Sequence, residues 1–143
     1  MVQRPAAFLA SPRLDRRRLI AVALGLALTG SPAFAADDVV SLDAARAELE
    51  AGRAVLIDIR EPREHATGVA AGARLLPMSQ IGQRIAEIPT DPATPVLLIC
   101  NTQNRSSRTL QALRQRGYGH VRFVQGGMSE WAKRGWPMVR PGL

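Results

Sequence analysis

Cysteine, histidine and aromatic residues are scarce in this chain of 143 residues. A single cysteine, Cys100, forbids an internal disulfide and a cysteine-rich zinc site. The two histidines, His65 and His120, stand apart and read as surface or loop positions. With so few ligands a metal site is not expected, and no motif asks for a cofactor. Aromatic residues make up 4% of the chain, and no basic stripe interleaves with them. That pattern argues against nucleic acid as a partner, although the formal net charge is +7. The longest apolar run, Leu19 to Leu28, has ten residues, about half of what a membrane span requires. Internal repeats and low-complexity linkers are also missing.

The excess charge is local. Within residues 1–35, Arg4, Arg13, Arg16, Arg17 and Arg18 are opposed only by Asp15, a net of +4 that leaves +3 of the +7 for residues 36–143. That later part mixes 14 basic with 11 acidic side chains. An apolar fraction of 46% and a charged fraction of 22% suit one globular domain.

Residues 1–35 read as an export signal peptide. Arg16 to Arg18 form its charged region and Leu19 to Leu28 its apolar region. Gly30, Ser31 and Pro32 break the run, and Ala33-Phe34-Ala35 has the small-x-small pattern of a cleavage site. Asp15 to Ile20 partly matches a twin-arginine signal, with Asp15 where Ser or Thr is usual and Leu19 where Phe is usual. Both that route and the general secretory route remain open. The mature domain is then 36–143, periplasmic or secreted from a bacterium, with no stable membrane span after cleavage.

Strand and helix patterns alternate along the mature chain. Ser41 caps a helix over Leu42 to Glu50, stopped by Gly52. Val55 to Ile59 reads as a buried strand, followed by a polar loop between Pro62 and Gly68. Gly72 to Pro77 reads as a short extended segment, and Ser79 to Ile88 has helical spacing at Ile81, Ile85 and Ile88. Val96 to Ile99 is the clearest strand. Ser106 to Arg116 predicts a helix closed by Gly117, His120 to Val124 a strand, and Ser129 to Arg134 a last short helix. The alternation predicts an α/β domain, its mostly parallel sheet covered by helices on both faces. Ligands in such sheets sit beyond the carboxyl ends of the strands, where Cys100 falls.

The segment Cys100-Asn101-Thr102-Gln103-Asn104-Arg105-Ser106 follows a strand and opens a helix. A loop of this shape can turn several N–H groups toward one point, where the helix N-terminus adds partial positive charge. Arg105 is expected to add a full charge. Such a cradle would hold Cys100 as a thiolate without a histidine base. The bland alternative is a small buried apolar residue at a strand end.

These residues resemble the rhodanese-like family. Val55 to Arg60, then Glu61, Pro62 and Glu64, look like its strand and acidic turn. Gly68, Gly72 and Ala73 fit its next segment, and Cys100 to Ser106 its active-site loop, Cys-x-x-Gly-x-Arg-Ser. Gly117-Tyr118, Gly126-Gly127 and Trp131 fit its C-terminal pattern. The resemblance implies a five-stranded, mostly parallel sheet and a sulfurtransferase that works through a Cys100 persulfide. It implies a thiosulfate-like anion as donor and a thiol, cyanide-like or protein acceptor.

Two positions depart from the pattern. Val69 stands where a histidine is common, and Gln103 replaces the loop's usual glycine. If position 103 needs a left-handed backbone, Gln103 costs roughly 1–2 kcal/mol. The alternative is a loop shaped to suit Gln103, whose amide then touches substrate or closes part of the pocket. The run of polar side chains from Asn101 to Asn104 favours the alternative. The four residues between Cys100 and Arg105 are one fewer than in cysteine phosphatases and arsenate reductases, which counts against those chemistries. A catalytically weak binding module and a redox-sensing thiol are the competing functions.

Substrate contacts are assigned to Asn101, Thr102, Gln103, Asn104, Arg105 and Ser106. Ser106 is either a donor to sulfur or a helix cap. Asp58 and Arg60 are read as structural support bracing nearby loops. Arg63 and Arg74 are candidates for the pocket mouth or for solvated surface. Trp131 is assigned to the core, and Trp136 with Pro137 to a packed tail.

Overall fold

The computed structural model describes residues 35–142. Apart from Ala35, the segment read as an export signal lies outside the described residues. Five strands form one sheet: β1 (Val39–Val40), β2 (Val55–Asp58), β4 (Arg74–Leu75), β5 (Val96–Ile99) and β6 (Val121–Val124). Their order across the sheet is β1-β6-β5-β2-β4, and every pairing is parallel. A separate antiparallel ribbon joins β3 (Val69–Ala70) to β7 (Met138–Val139). The helices are α1 (Leu42–Glu50), α2 (Pro62–His65), α3 (Asn104–Gln115) and α4 (Gly127–Lys133). Among the described residues no helix is long and apolar enough to cross a membrane.

The alternation of side chains along a strand divides the core in two. Val96, Leu98 and Cys100 join Ile57, Leu110, Leu113, Val121 and Phe123 on the α3 side of the sheet. Leu97 and Ile99 join Leu42, Ala45, Leu56, Val124, Met128 and Trp131 on the side of α1 and α4. All four residues of β5 are fully buried, as a central parallel strand requires. Each such side chain contributes about 1.5–3 kcal/mol of hydrophobic transfer energy. The same parity sends Cys100 toward α3.

Ser41 caps α1 as its position predicts, its hydroxyl accepting from the Ala44 N–H at 3.2 Å. Several expectations need correction, among them the last helix, which runs from Gly127 to Lys133 rather than from Ser129 to Arg134. The polar loop after Pro62 contains α2, because Pro62 suits a first helical turn and Glu64 reaches back to the Glu61 N–H at 3.0 Å. The helix expected over 79–88 is two 3₁₀ turns, Met78–Gln80 and Ile85–Glu87. Gly82 lies between them, a residue with poor helix propensity. Helix α3 starts at Asn104 rather than Ser106, since the Gln103 carbonyl already accepts from the Ser107 N–H at 2.9 Å.

Trp131 is 3% exposed, and its indole N–H donates to the Pro137 carbonyl at 3.1 Å. Trp136 packs edge-on against it at 5.0 Å, and the guanidinium groups of Arg46 and Arg134 lie over its ring at 4.7 and 4.9 Å. His65 departs from the surface reading. It is buried, with Nε2 3.4 Å from Asp58 Oδ1 but without the alignment of a hydrogen bond. His120 is half-buried, and its Nε2 lies 2.7 Å from the Pro89 carbonyl. Val69 is buried in the ribbon.

Candidate active site

Cys100 is the first residue beyond the carboxyl end of β5 and is 1% exposed. Two groups of Ser106 meet its sulfur. The Ser106 N–H reaches Sγ at 3.4 Å, and the Cys100 thiol donates to Ser106 Oγ at 3.3 Å. The Ser106 hydroxyl in turn donates to the Gln103 carbonyl at 3.1 Å. Ser106 therefore stands in the first turn of α3, against the sulfur, and does not cap the helix. If Cys100 loses its proton, this hydroxyl is within reach to donate to the sulfur instead.

The loop before α3 is shaped by the start of α4. The Met128 N–H donates to the Cys100 carbonyl and the Ser129 N–H to the Asn101 carbonyl, both at 2.8 Å. Gly127 has a positive φ of 61°, and a Cβ there would lie no farther than 2.6 Å from the carbonyl oxygens of Cys100, Asn101 and Thr102. Three successive carbonyls thus face Gly127. In a trans peptide the N–H points opposite to the C=O, so the amides of Asn101, Thr102 and Gln103 face away from it. The first amides of α3 have no intrahelical acceptor. Among the described residues, none from Asn101 to Arg105 has a protein acceptor for its backbone N–H. Five consecutive backbone donors are thus unpaired between Cys100 and Ser106, whose own N–H reaches the sulfur.

Asn101, Thr102, Gln103 and Asn104 are exposed. Gln103 has φ −159° and ψ −6°, and no residue other than glycine has a positive φ among the described residues. The left-handed alternative is therefore overturned. The Gln103 side-chain oxygen accepts from the Gly126 N–H at 3.1 Å. Its amide closes a gap between the loop and the β6–α4 turn.

Arg105 is not the free cation that the spacing suggests. Its guanidinium forks onto Glu64 with two N···O distances of 2.7 Å, and each side chain is 29% exposed. This fork, aided by the Glu61 N–H, pulls the Glu64 carboxyl down to about 2 against the opposing cost of burial. The same fork raises Arg105. The sequence offered no local signal for this pair. Glu64 was visible only as part of an acidic turn.

Asp58 and Arg60 lie one strand over, beside the end of β5, where Asp58 pairs in register with Ile99. Asp58 is fully buried and accepts from the Arg60 guanidinium at 2.7–3.1 Å and from the Arg60 N–H at 3.0 Å. Arg60 also donates to the carbonyls of Gly68 at 2.8 Å and Glu64 at 3.4 Å. The pair fixes the 61–68 segment, and through Glu64 it fixes Arg105. Arg63 and Arg74 are exposed.

Comparison with known proteins adds a second line of evidence. A sulfurtransferase of Allochromatium vinosum is 41% identical over 87 residues, covering 61% of this chain and 79% of the relative. The human single-domain sulfurtransferase TSTD1 superposes with a TM-score of 0.60 at 28% identity, over 68% of this chain and 96% of that one. A thiosulfate sulfurtransferase of Pseudomonas aeruginosa gives 0.63 at 27% identity, over 71% of this chain and 20% of that one. The family model for the rhodanese-like domain matches residues 41–134. That match runs from the cap of α1 to the end of α4 and makes this chain a member of the rhodanese-like domain family.

Proposed function

We propose that the protein is an exported sulfurtransferase that carries sulfane sulfur as a persulfide on Cys100. The observation that carries this reading is the run of unpaired amides from Asn101 to Arg105 beside the buried sulfur. Such a cradle stabilises negative charge on a thiolate and on the outer sulfur of a persulfide. The sulfurtransferase relatives support the same chemistry.

The reaction needs no redox partner. The Cys100 thiolate attacks the outer sulfur of a thiosulfate-like donor. The donor's S–S bond breaks, sulfite leaves with the electron pair, and Cys100 holds the transferred sulfur. A thiol or cyanide-like acceptor, small or on a protein, then attacks that outer sulfur and the Cys100 thiolate leaves. Export rests on Arg16 to Arg18, the apolar run Leu19 to Leu28 and Ala33-Phe34-Ala35.

Intact mass after thiosulfate treatment tests the chemistry. The expected result is a gain of one sulfur atom, removed by cyanide and absent in Cys100→Ser. No adduct with any sulfane donor would end the enzyme reading. N-terminal sequencing of the extracytoplasmic protein tests export, with Ala36 as the expected first residue.

A further inference from the structure

The carbonyls of Cys100 and Asn101 are held by backbone amides of α4, bonds that depend little on which side chains stand there. A third tether to the same turn is made by a side chain. The Gln103 amide oxygen accepts from the Gly126 N–H at 3.1 Å, and Gly126 is the residue before α4, at φ 84°. Gln103 is also the hinge at which the loop becomes α3. Its carbonyl accepts from the Ser107 N–H at 2.9 Å and from the Ser106 hydroxyl at 3.1 Å, and Ser106 touches the sulfur. Its side chain makes no capping bond on α3. That leaves the first-turn amides of α3 for the site.

We infer that Gln103 is a positioning residue, whose amide clamps the far end of the Cys100 loop to the β6–α4 turn and so aims the loop amides and Ser106 at the sulfur. Without this tether no side chain of Thr102, Gln103 or Asn104 is anchored outside the loop among the described bonds. The Gln103 and Asn104 carbonyls stay held by Ser106 and Ser107 within the first turn of α3, but the start of that turn is no longer tied by a side chain to the β6–α4 turn. The inference rests on Cys100 being the sulfur carrier, but the clamp has readouts of its own.

Three substitutions in the full chain separate the outcomes. Gln103→Met keeps the length and loses the acceptor. Gln103→Glu keeps an acceptor and adds a charge. Gln103→Gly removes the side chain. Amide exchange at Gly126 reports the tether directly. In Gln103→Met and Gln103→Gly, Gly126 protection and kcat should each fall about fivefold, the worth of one net hydrogen bond, with donor KM little changed. Gln103→Glu should restore protection and kcat, while its charge raises KM for an anionic donor. The rate of Cys100 alkylation by iodoacetamide needs no sulfur donor and should follow the same order, slower in Met and Gly and recovered in Glu. An unprotected Gly126 amide in the native protein overturns the clamp. So does loss of protection with kcat and alkylation rate unchanged. If the native protein transfers no sulfur, the alkylation series still decides the clamp, and only the transfer reading falls.

Discussion

Glu64 and Arg105 lie 41 positions apart in the chain and meet in a two-bond fork, both N···O distances 2.7 Å. The fork joins α2 to the first turn of α3 and takes up the charge that the sulfur loop seemed to offer freely. A double-mutant cycle of Glu64→Ala and Arg105→Ala should give a coupling energy of about 1 kcal/mol, as suits a pair about two-thirds buried. A coupling indistinguishable from zero by urea unfolding would show the fork to be energetically idle.

The same pair sets an acid limit. Glu64 titrates near 4.5 when unfolded and is held down to about 2 in the fold, first by the Arg105 fork. A depressed carboxyl binds its proton more tightly in the unfolded state. Its stabilisation is therefore complete above about pH 4.5 and disappears as pH falls through about 2. The stability gap between the native protein and Glu64→Gln should shrink across that window. A gap that widens toward acid contradicts the assignment.

Asp58 balances a guanidinium that is itself buried, since Arg60 is 3% exposed. Asp58→Ala strands that charge and should cost about 3–5 kcal/mol. Thermal and urea midpoints measure it. A loss below about 0.5 kcal/mol, inside the range of ordinary surface changes, would mean that water or another group replaces the carboxylate.

Gly127→Ala should be among the most damaging single changes in the molecule. It adds a methyl group where three carbonyls converge and puts Ala at φ 61°. A loss of about 2–4 kcal/mol is expected, with sulfur loading of Cys100 reduced more than the fold requires. Normal loading in a stably folded Gly127→Ala protein would show that the cradle does not depend on this contact.

Gln103→Gly offers a test of backbone against side chain. Because φ at 103 is −159°, glycine relieves no left-handed strain; it frees the unfolded chain and also removes the hydrogen bond from Gly126. Stability should drop by about 1–2 kcal/mol, the glycine entropy and the lost hydrogen bond together. A rise in thermal midpoint would contradict the conformation described for the loop.

The sequence by itself determined the α/β alternation, the buried strand Val96 to Ile99, the Ser41 cap and the position of Cys100 just past a strand end. These are local properties, carried by apolar runs, turn residues and capping side chains that act within a few positions of one another. Counting along β5 puts Cys100 on the face of Val96 and Leu98, but only packing makes that the face covered by α3. Short elements escaped. Strands β1, β3 and β7 have two residues each, too few to show a period, and α2 spans one turn.

Only the tertiary structure decided what surrounds the sulfur. Glu64 reaches Arg105 across 41 positions, and Gln103 reaches Gly126 across 23. His65 looked like a loop residue until α2 turned it toward Asp58. None of these pairings has a local signature, because a long polar side chain carries no period and no fixed partner until packing brings one within reach. The three carbonyls facing Gly127 belong to the same class. Their direction depends on where α4 begins relative to the end of β5, and that is set by two strands and a helix packed together.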